Sequence, residues 1–450
     1  MLKLLTVSLG LLLLSGCTRY GVIDNVPLTE STAAGSTQSY SFMNYARAGR
    51  GSWDIELTLA FSGGGTRAAA LAYGVLEELR DTMVVIDGQP RRLLDEIDFI
   101  SSVSGGSFTS AYYGLHGDGI FEDYKDVFLV KNIQGKLVRG MFNPFRWFSK
   151  AGRTEMAVKL YDKEVFQGAT FADMQRAGGP LVVINASDLG YGGRFAFIQE
   201  YFDLLCSDIA SFPVARAVTA SSAVPLVFPP IVVENYHDCK SAGIPDWLTE
   251  AKIRQANDPD MTHVLMGLES YYRDSRQYAH LVDGGITGNL GLRAVYELVE
   301  MAGGAIGYYG KLGIKPPRYA VLITVNASTA PEPEMDKSNK QLSAAETISA
   351  VSNVQLSRYN DVSTALTDEG MREWAKELSI PDLTVTPYNV QVRFMDIELP
   401  EEREYYDLIP TSFSLSEEQV DRLILAGREL LRNNPDFQRL LVDFGGVQPL

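Results

Sequence analysis

Histidine is scarce in this chain. There are four in 450 residues: His116, His237, His263 and His280, and none follows. A site that needs a histidine from the last third of the sequence therefore has none to draw on. Cysteine is scarcer still, at three: Cys17, Cys206 and Cys239. Bases are outnumbered, with 40 Lys and Arg against 56 Asp and Glu and a net charge of −16. So acidic a chain repels nucleic-acid phosphates, and a nucleic-acid partner is excluded. No internal repeat is visible. The apolar run near the amino terminus, residues 4–14, has roughly half the ~20 residues needed to span a bilayer. What the chain does have is length and apolar content: 46% hydrophobic and 21% charged, ample for a large core.

The first residues read as a targeting signal. Lys3 precedes the apolar run, and Leu14-Ser15-Gly16-Cys17 ends it. A short apolar run behind one base is a signal-peptide core, not a membrane span. L-S-G-C resembles the lipobox of bacterial lipoproteins. That resemblance implies cleavage before Cys17, lipidation of Cys17, and a place in the bacterial cell envelope. With Thr18 rather than aspartate next, it implies the outer membrane, facing the periplasm. Removing residues 1–16 takes Lys3 and no acid, so the mature chain is more acidic still. Once Cys17 is used, Cys206 and Cys239 remain. In an oxidising compartment an even remainder predicts one disulfide between them, with two buried thiols as the alternative.

Residues 18–52 are rich in Ser, Thr, Gly and Ala (TESTAAGSTQS) and read as a flexible tether between lipid and domain, with its later part able to pack on the domain surface. From Trp53 the pattern alternates. Residues 56–61 (ELTLAF), 97–103, 181–185 (LVVIN), 280–283 (HLVD), 319–325 (YAVLITV) and 389–397 read as strands, and 195–198 as another. Residues 66–80, those after Ser107, 214–222, 291–301, 344–379 and 416–432 read as helices. The last has a capping box from Ser416 to Gln419. Residues 328–339 form a polar, proline-containing loop. Strands alternating with helices predict an α/β fold with one mainly parallel sheet covered on both faces. The organisation expected is a signal peptide at 1–16, a lipid-anchored tether at 17–52 and one enzyme domain at 53–450 with a helical carboxyl-terminal extension.

Three stretches carry chemistry. In LLDEIDFISSVSGGSFTSAY (residues 93–112) a strand stops at Ser104, with Ser102 and Gly106 two positions to either side. This is the shape of a nucleophile elbow, in which a sharp turn lifts the serine hydroxyl clear of the sheet and leaves no room for bulky neighbours. Gly63-Gly64-Gly65 follows the first strand and opens a helix, so its amides can cradle an anion. That anion could be an oxyanion or a phosphate. Gly63-x-Gly65-x-x-Ala68 with Asp87 fits a dinucleotide fingerprint, although no Gly-Lys-Ser/Thr follows to make a phosphate loop. Asp283-Gly284-Gly285 ends a further short strand. A serine needs a base. With no histidine after Asp283, a Ser-Asp dyad is the simplest assignment involving this turn.

Together these residues resemble the patatin-like phospholipases. The family's glycine-rich oxyanion loop with its arginine, its serine elbow and its Asp-Gly-Gly/Ala turn stand here in order as SGGGTR (Ser62 to Arg67), SVSGG (Ser102 to Gly106) and DGG (Asp283 to Gly285). The segment VARAVTASSAVPLVFP, from Val214, resembles the family's small-residue helix. The resemblance covers about residues 55–326. It implies a patatin-like fold, Ser104 as nucleophile, Asp283 as its partner, and Gly63, Gly64, Gly65 and Arg67 around an oxyanion hole. No cofactor or metal is implied. Ser62 stands where an acid is frequent, Ala68 and Ser102 where glycine is frequent; all three are small. The expected activity is phospholipase A or lysophospholipase chemistry on membrane phospholipids. A dinucleotide-binding oxidoreductase and a catalytically silent envelope lipoprotein are the rival readings.

One further stretch stands out in so acidic a chain. From Lys136 to Lys150, KLVRGMFNPFRWFSK sets four bases among Leu, Val, Met, three Phe and a Trp. It reads either as a lid or core element, since Pro144 breaks any long helix, or as a segment lying on lipid with its bases toward phosphate.

Overall fold

The computed structural model describes residues 20–29, 39–49, 51–86, 88–141, 152–225 and 227–445. Cys17, Asp87 and residues 142–150 of the basic aromatic stretch lie outside the described residues.

The alternation read from the sequence builds the molecule. Strand β1 (Ile55–Phe61) runs into helix α1 (Gly65–Asp81), and β2 (Ile97–Val103) into α2 (Gly105–His116). Then come β3 (Leu181–Asp188), β4 (Gly193–Ala196), α3 (Val214–Ser221), β5 (Ile231–Glu234) and β6 (Tyr278–Asp283). Helix α4 (Leu292–Ala302), β7 (Tyr319–Asn326), α5 (Ala344–Leu378), β8 (Thr386–Arg393) and α6 (Glu417–Arg432) complete the frame. The eight strands form one sheet in the order β8-β7-β1-β2-β3-β6-β5, with β4 also paired to β3. From β8 to β3 every pairing is parallel. β6, β5 and β4 join antiparallel. The sheet is thus mainly parallel and flanked by helices. Its middle strands are buried almost throughout: β1 and β2 each keep one partly exposed residue, and all eight residues of β3 are buried. That is why LVVIN reads as a continuous apolar run rather than an alternation.

Some boundaries differ from the sequence reading, for local reasons. β8 stops at Arg393, because Arg393 pairs with Asp396 and Phe394 stacks on Tyr406 at 5.1 Å, turning the chain away. β4 starts at Gly193, two residues early, where it pairs back onto Asp188. Residues 83–86 do not lie beside β1. They pair with residues 89–92 in a separate two-stranded hairpin.

Helix α1 is the central one. Fourteen of its residues are buried, among them Ala68, Ala69, Ala70 and Ala72, and small side chains are what allow cover on every side. Its outer cover is α6, met at a glycine–glycine crossing. A Cβ on Gly74 would stand 2.1 Å from the Ile424 carbonyl oxygen, and one on Gly427 would stand 2.4 Å from that of Leu71.

Candidate active site

Two strands run head to head to make the site. β2 travels along β3 and ends with Val103 opposite Asn185. β6 travels the other way and ends with Asp283 opposite Ala186. Adjacent residues of one strand therefore receive the residue before Ser104 and Asp283 itself. Ser104 has φ 49° and ψ −117°, a conformation that L-residues avoid and that an elbow imposes. The turn tolerates no side chains after it. A Cβ on Gly105 would stand 2.0 Å from the Gly65 carbonyl oxygen, and one on Gly106 2.7 Å from that of Ser62. The strained turn is pinned from outside: the Ser104 N–H donates to Ser221 Oγ at 2.8 Å, and Ser221 Oγ donates to the Asn185 carbonyl at 2.6 Å. Ser221 sits at the end of α3, so the small-residue helix holds the elbow in shape.

Ser104 Oγ donates to Asp283 Oδ2 at 3.3 Å. The other carboxylate oxygen accepts from the Gly285 amide at 2.8 Å. Asp283 is fixed at both backbone groups, donating to the Ala223 carbonyl and accepting from Ser187 Oγ. Burial pushes its carboxyl up to about 6, although the bonds from Gly285 and Ser104 pull the other way. The carboxylate thereby gains basicity it would lack in water. None of the four histidines bonds to either residue: His116 packs on Tyr112, His237 meets the Arg276 carbonyl, and His263 and His280 are exposed.

The glycine loop divides its work. Gly63 donates its amide to the Asn289 carbonyl at 3.0 Å, so it braces the loop. Gly64 and Gly65 have φ of 140° and 61°, and their amides meet no acceptor among the described residues. The Gly105 amide, next after Ser104, is likewise without one. These three amides lie where the packing of Gly105 on Gly65 brings α1 and α2 together. Arg67 is held beside the glycine loop by backbone acceptors from the later part of the chain. Its guanidinium donates to the carbonyls of Ala327 and Ile409 and to Thr411 Oγ1, and burial lowers it to about 10. It clamps the start of α1 to the segment before α6, with its Nη2 3.5 Å from where a Cβ on Gly64 would stand. Thr66 makes the same connection through its amide to the Ser412 carbonyl at 2.8 Å.

A family model described as patatin-like phospholipase matches residues 59–296. The chain belongs to the patatin-like phospholipase family. Similar solved structures include human GIVD cytosolic phospholipase A2, at 12% identity and TM-score 0.45, covering 96% of this chain and 66% of that one. Its complex with methyl gamma-linolenyl fluorophosphonate gives 11%, 0.43, 87% and 59%. The chain thus spans less than two thirds of those proteins' length. Among curated proteins none matches.

Within this patatin-like frame the dinucleotide reading fails on topology. The strand leading to Asp87 lies in the hairpin of residues 83–92; the strand that α1 connects to β1 in the parallel sheet is β2, which runs into Ser104 and brings no ribose-binding acid. The family departures are absorbed locally. Ser62 Oγ accepts from the Ala327 amide and donates to the Gly63 carbonyl. Ser102 Oγ accepts from Ser110 Oγ at 2.7 Å. Cys206 and Cys239 are joined as a disulfide with Cα atoms 5.6 Å apart. Of the basic aromatic stretch, Lys136 bonds Glu164 and Leu137 is buried while Val138 is exposed. Among the described residues no acid, histidine or cysteine cluster is arranged for a metal ion, and no helix is long and apolar enough to cross a membrane.

Sequence reasoning missed Asn289. Besides its carbonyl on Gly63, its Oδ1 lies 2.4 Å from where a Cβ on Gly63 would stand and 3.3 Å from one on Gly285. It therefore sits between the glycine loop and the aspartate turn. Two small cavities lie at the other, amino-terminal end of the strands. One is lined by Val299, Leu322 and Trp374, the other by Phe42, Trp53 and Phe99. They are no part of this site.

Proposed function

We propose that this protein is a serine acyl hydrolase that cleaves fatty-acyl esters of phospholipids or lysophospholipids through a Ser104–Asp283 dyad. It is held at the bacterial envelope by a lipidated Cys17, with the stretch from Lys136 to Lys150 as a further contact for lipid. The observation that carries the reading is the 3.3 Å bond between Ser104 Oγ and Asp283 Oδ2 at a strained elbow. Ser104 Oγ attacks the ester carbonyl carbon and passes its proton to Asp283. The oxyanion that forms is met by the amides of Gly64, Gly65 and Gly105, each typically worth ~3 kcal/mol in such a hole. Collapse expels the alcohol, which takes the proton back from Asp283. Water then attacks the acyl-enzyme with Asp283 again as base, releasing the fatty acid and restoring Ser104.

A fluorophosphonate probe tests the nucleophile. Labelling is expected at Ser104 in the wild type and none in Ser104→Ala. Asp283→Asn is expected to lose about 100-fold or more in ester hydrolysis, while each His→Ala variant keeps most of it. A folded His→Ala variant as inactive as Ser104→Ala would overturn the dyad. The base must be ionised, so activity should rise as pH rises through about 6 and vanish below it. A kcat/KM profile flat down to pH ~4, the ordinary range for a carboxylic acid, would count against Asp283. For the anchor, acyl mass on the mature amino terminus should be present in the wild type and absent in Cys17→Ser.

A further inference from the structure

Helix α5 lies outside the family-matched region, and its first three turns, residues 344–355, carry exposed aliphatic side chains. Ile348, Val351 and Val354 are 50%, 55% and 54% exposed, and Leu342 just before the helix is 41% exposed. The sequence makes this unusual in two ways. Thr347, Ile348, Val351 and Val354 are β-branched and poor helix formers, so three unpacked turns gain little from propensity. Between residues 341 and 357 there is one charged side chain, Glu346, and it is spent on the capping box with Ser343. In a chain that is 21% charged this is a charge-poor patch. Its flanking charges are basic, Lys340 before and Arg358 after, although the protein as a whole is strongly acidic.

The patch begins at the active site. Leu356 Cδ1 lies 3.7 Å from where a Cβ on Gly285 would stand, and the Gly285 amide holds Asp283. The same edge exposes Ile286 at 50% and Val224 at 43%. Val224 follows the residue whose carbonyl accepts from Asp283. Aliphatic side chains in water are ordinary when scattered; a set running from the rim of a catalytic dyad along an unpacked helix is not.

We propose that residues 344–355 of α5, with Val224 and Ile286, form a docking surface for a phospholipid bilayer. This deepens the acyl-hydrolase reading and rests on it. The aliphatic side chains enter the acyl boundary, Lys340 and Arg358 face lipid phosphates, and with Glu346 as its single acid the segment meets less repulsion than the rest of the protein would. A bilayer explains the continuity with the dyad, because an ester must leave the lipid plane to reach a serine that is only 7% exposed.

The test uses the full chain with mixed phosphatidylcholine–phosphatidylglycerol vesicles. Hydrogen exchange of amides in residues 346–357 is expected to slow when vesicles are added. An Ile348→Gln/Val351→Gln/Val354→Gln variant is expected to hydrolyse vesicle phospholipid about tenfold more slowly or worse, with hydrolysis of a soluble short-chain ester unchanged. Unchanged exchange with vesicles present would overturn the proposal. So would wild-type vesicle hydrolysis by the variant, equal loss in both assays, or protection that appears without vesicles and grows with protein concentration, which would make the partner a second copy. If the wild type hydrolyses neither substrate yet these amides are protected, the docking surface stands and the hydrolase reading fails.

Discussion

Ser104 is held at φ 49°, ψ −117°, and strain of this kind costs of order 1–3 kcal/mol. Glycine would adopt the same backbone without the cost. This gives two substitutions with the same effect on activity and different effects on stability. Ser104→Ala should be inactive with stability within about 0.5 kcal/mol of wild type. Ser104→Gly should be equally inactive yet more stable by about 1 kcal/mol, measured by thermal or denaturant unfolding. A Ser104→Gly protein less stable than Ser104→Ala would mean that the turn is not strained. The elbow was legible in the sequence because its constraint is steric and local: small residues at Ser102, Gly105 and Gly106 announce a turn that cannot hold larger ones. Asp283 was legible as an acid ending a short strand with no histidine to follow. Asn289 was not, since its role depends on β1 and the aspartate turn meeting in space, which no spacing in the sequence encodes. Arg67 followed the family's motif, but its guanidinium goes to carbonyls of residues 327 and 409, some three hundred residues away, beyond the reach of any local pattern.

Helix α1 carries the loop amides at its start and is fixed along its length by α6. Gly74 and Gly427 let the two backbones touch. One turn on, Arg428 and Arg432 from α6 reach the buried carboxylate of Glu78. Gly427→Leu has no space to occupy and must push α6 off α1. It should destabilise the protein by about 3 kcal/mol or more, as overpacking a tight contact does, and should weaken fluorophosphonate labelling because the start of α1 moves. Gly310→Ala is the control: nothing lies within 4 Å of the added Cβ, and a helix accepts alanine better than glycine. A Gly427→Leu protein that melts with Gly310→Ala would overturn the account of this crossing. The elements themselves were largely readable, because periodicity marks buried faces. α1, α2, α3, β3, β7 and the capped α6 all form where the pattern predicts. The pairing of α6 with α1 was not readable, since a glycine contact leaves no periodic trace. Nor was the antiparallel return of β6, since direction in a sheet is set by tertiary packing and not by the strand's own residues.

The family match ends at residue 296, inside α4, yet the sheet does not end there. β7 lies between β1 and β8, paired with β1 residue by residue from Tyr319 opposite Ile55 to Val325 opposite Phe61. The later part of the chain also supplies the Ser412 carbonyl to Thr66, the clamp for Arg67, and the apolar cover of α1 by Val420 and Leu423. The strand that delivers the glycine loop and the helix that opens on it are thus both completed from outside the matched region. A protein cut to residues 39–296 would present β1 as a bare, apolar edge of seven residues, the kind of edge that pairs with other chains. It would also leave α1 uncovered on its α6 side and Arg67 buried without acceptors, at a cost that a marginally stable domain cannot bear. This fragment should therefore be recovered as aggregate, or soluble without a cooperative thermal transition, and should not label with fluorophosphonate. Residues 39–445 should melt cooperatively and label. The comparison needs circular dichroism, size-exclusion chromatography and the probe on both proteins. A monomeric, cooperatively melting, labelled 39–296 would show that the last third of the chain is dispensable to the site, and that the clamp at Arg67 and the crossing at Gly427 do not hold it together.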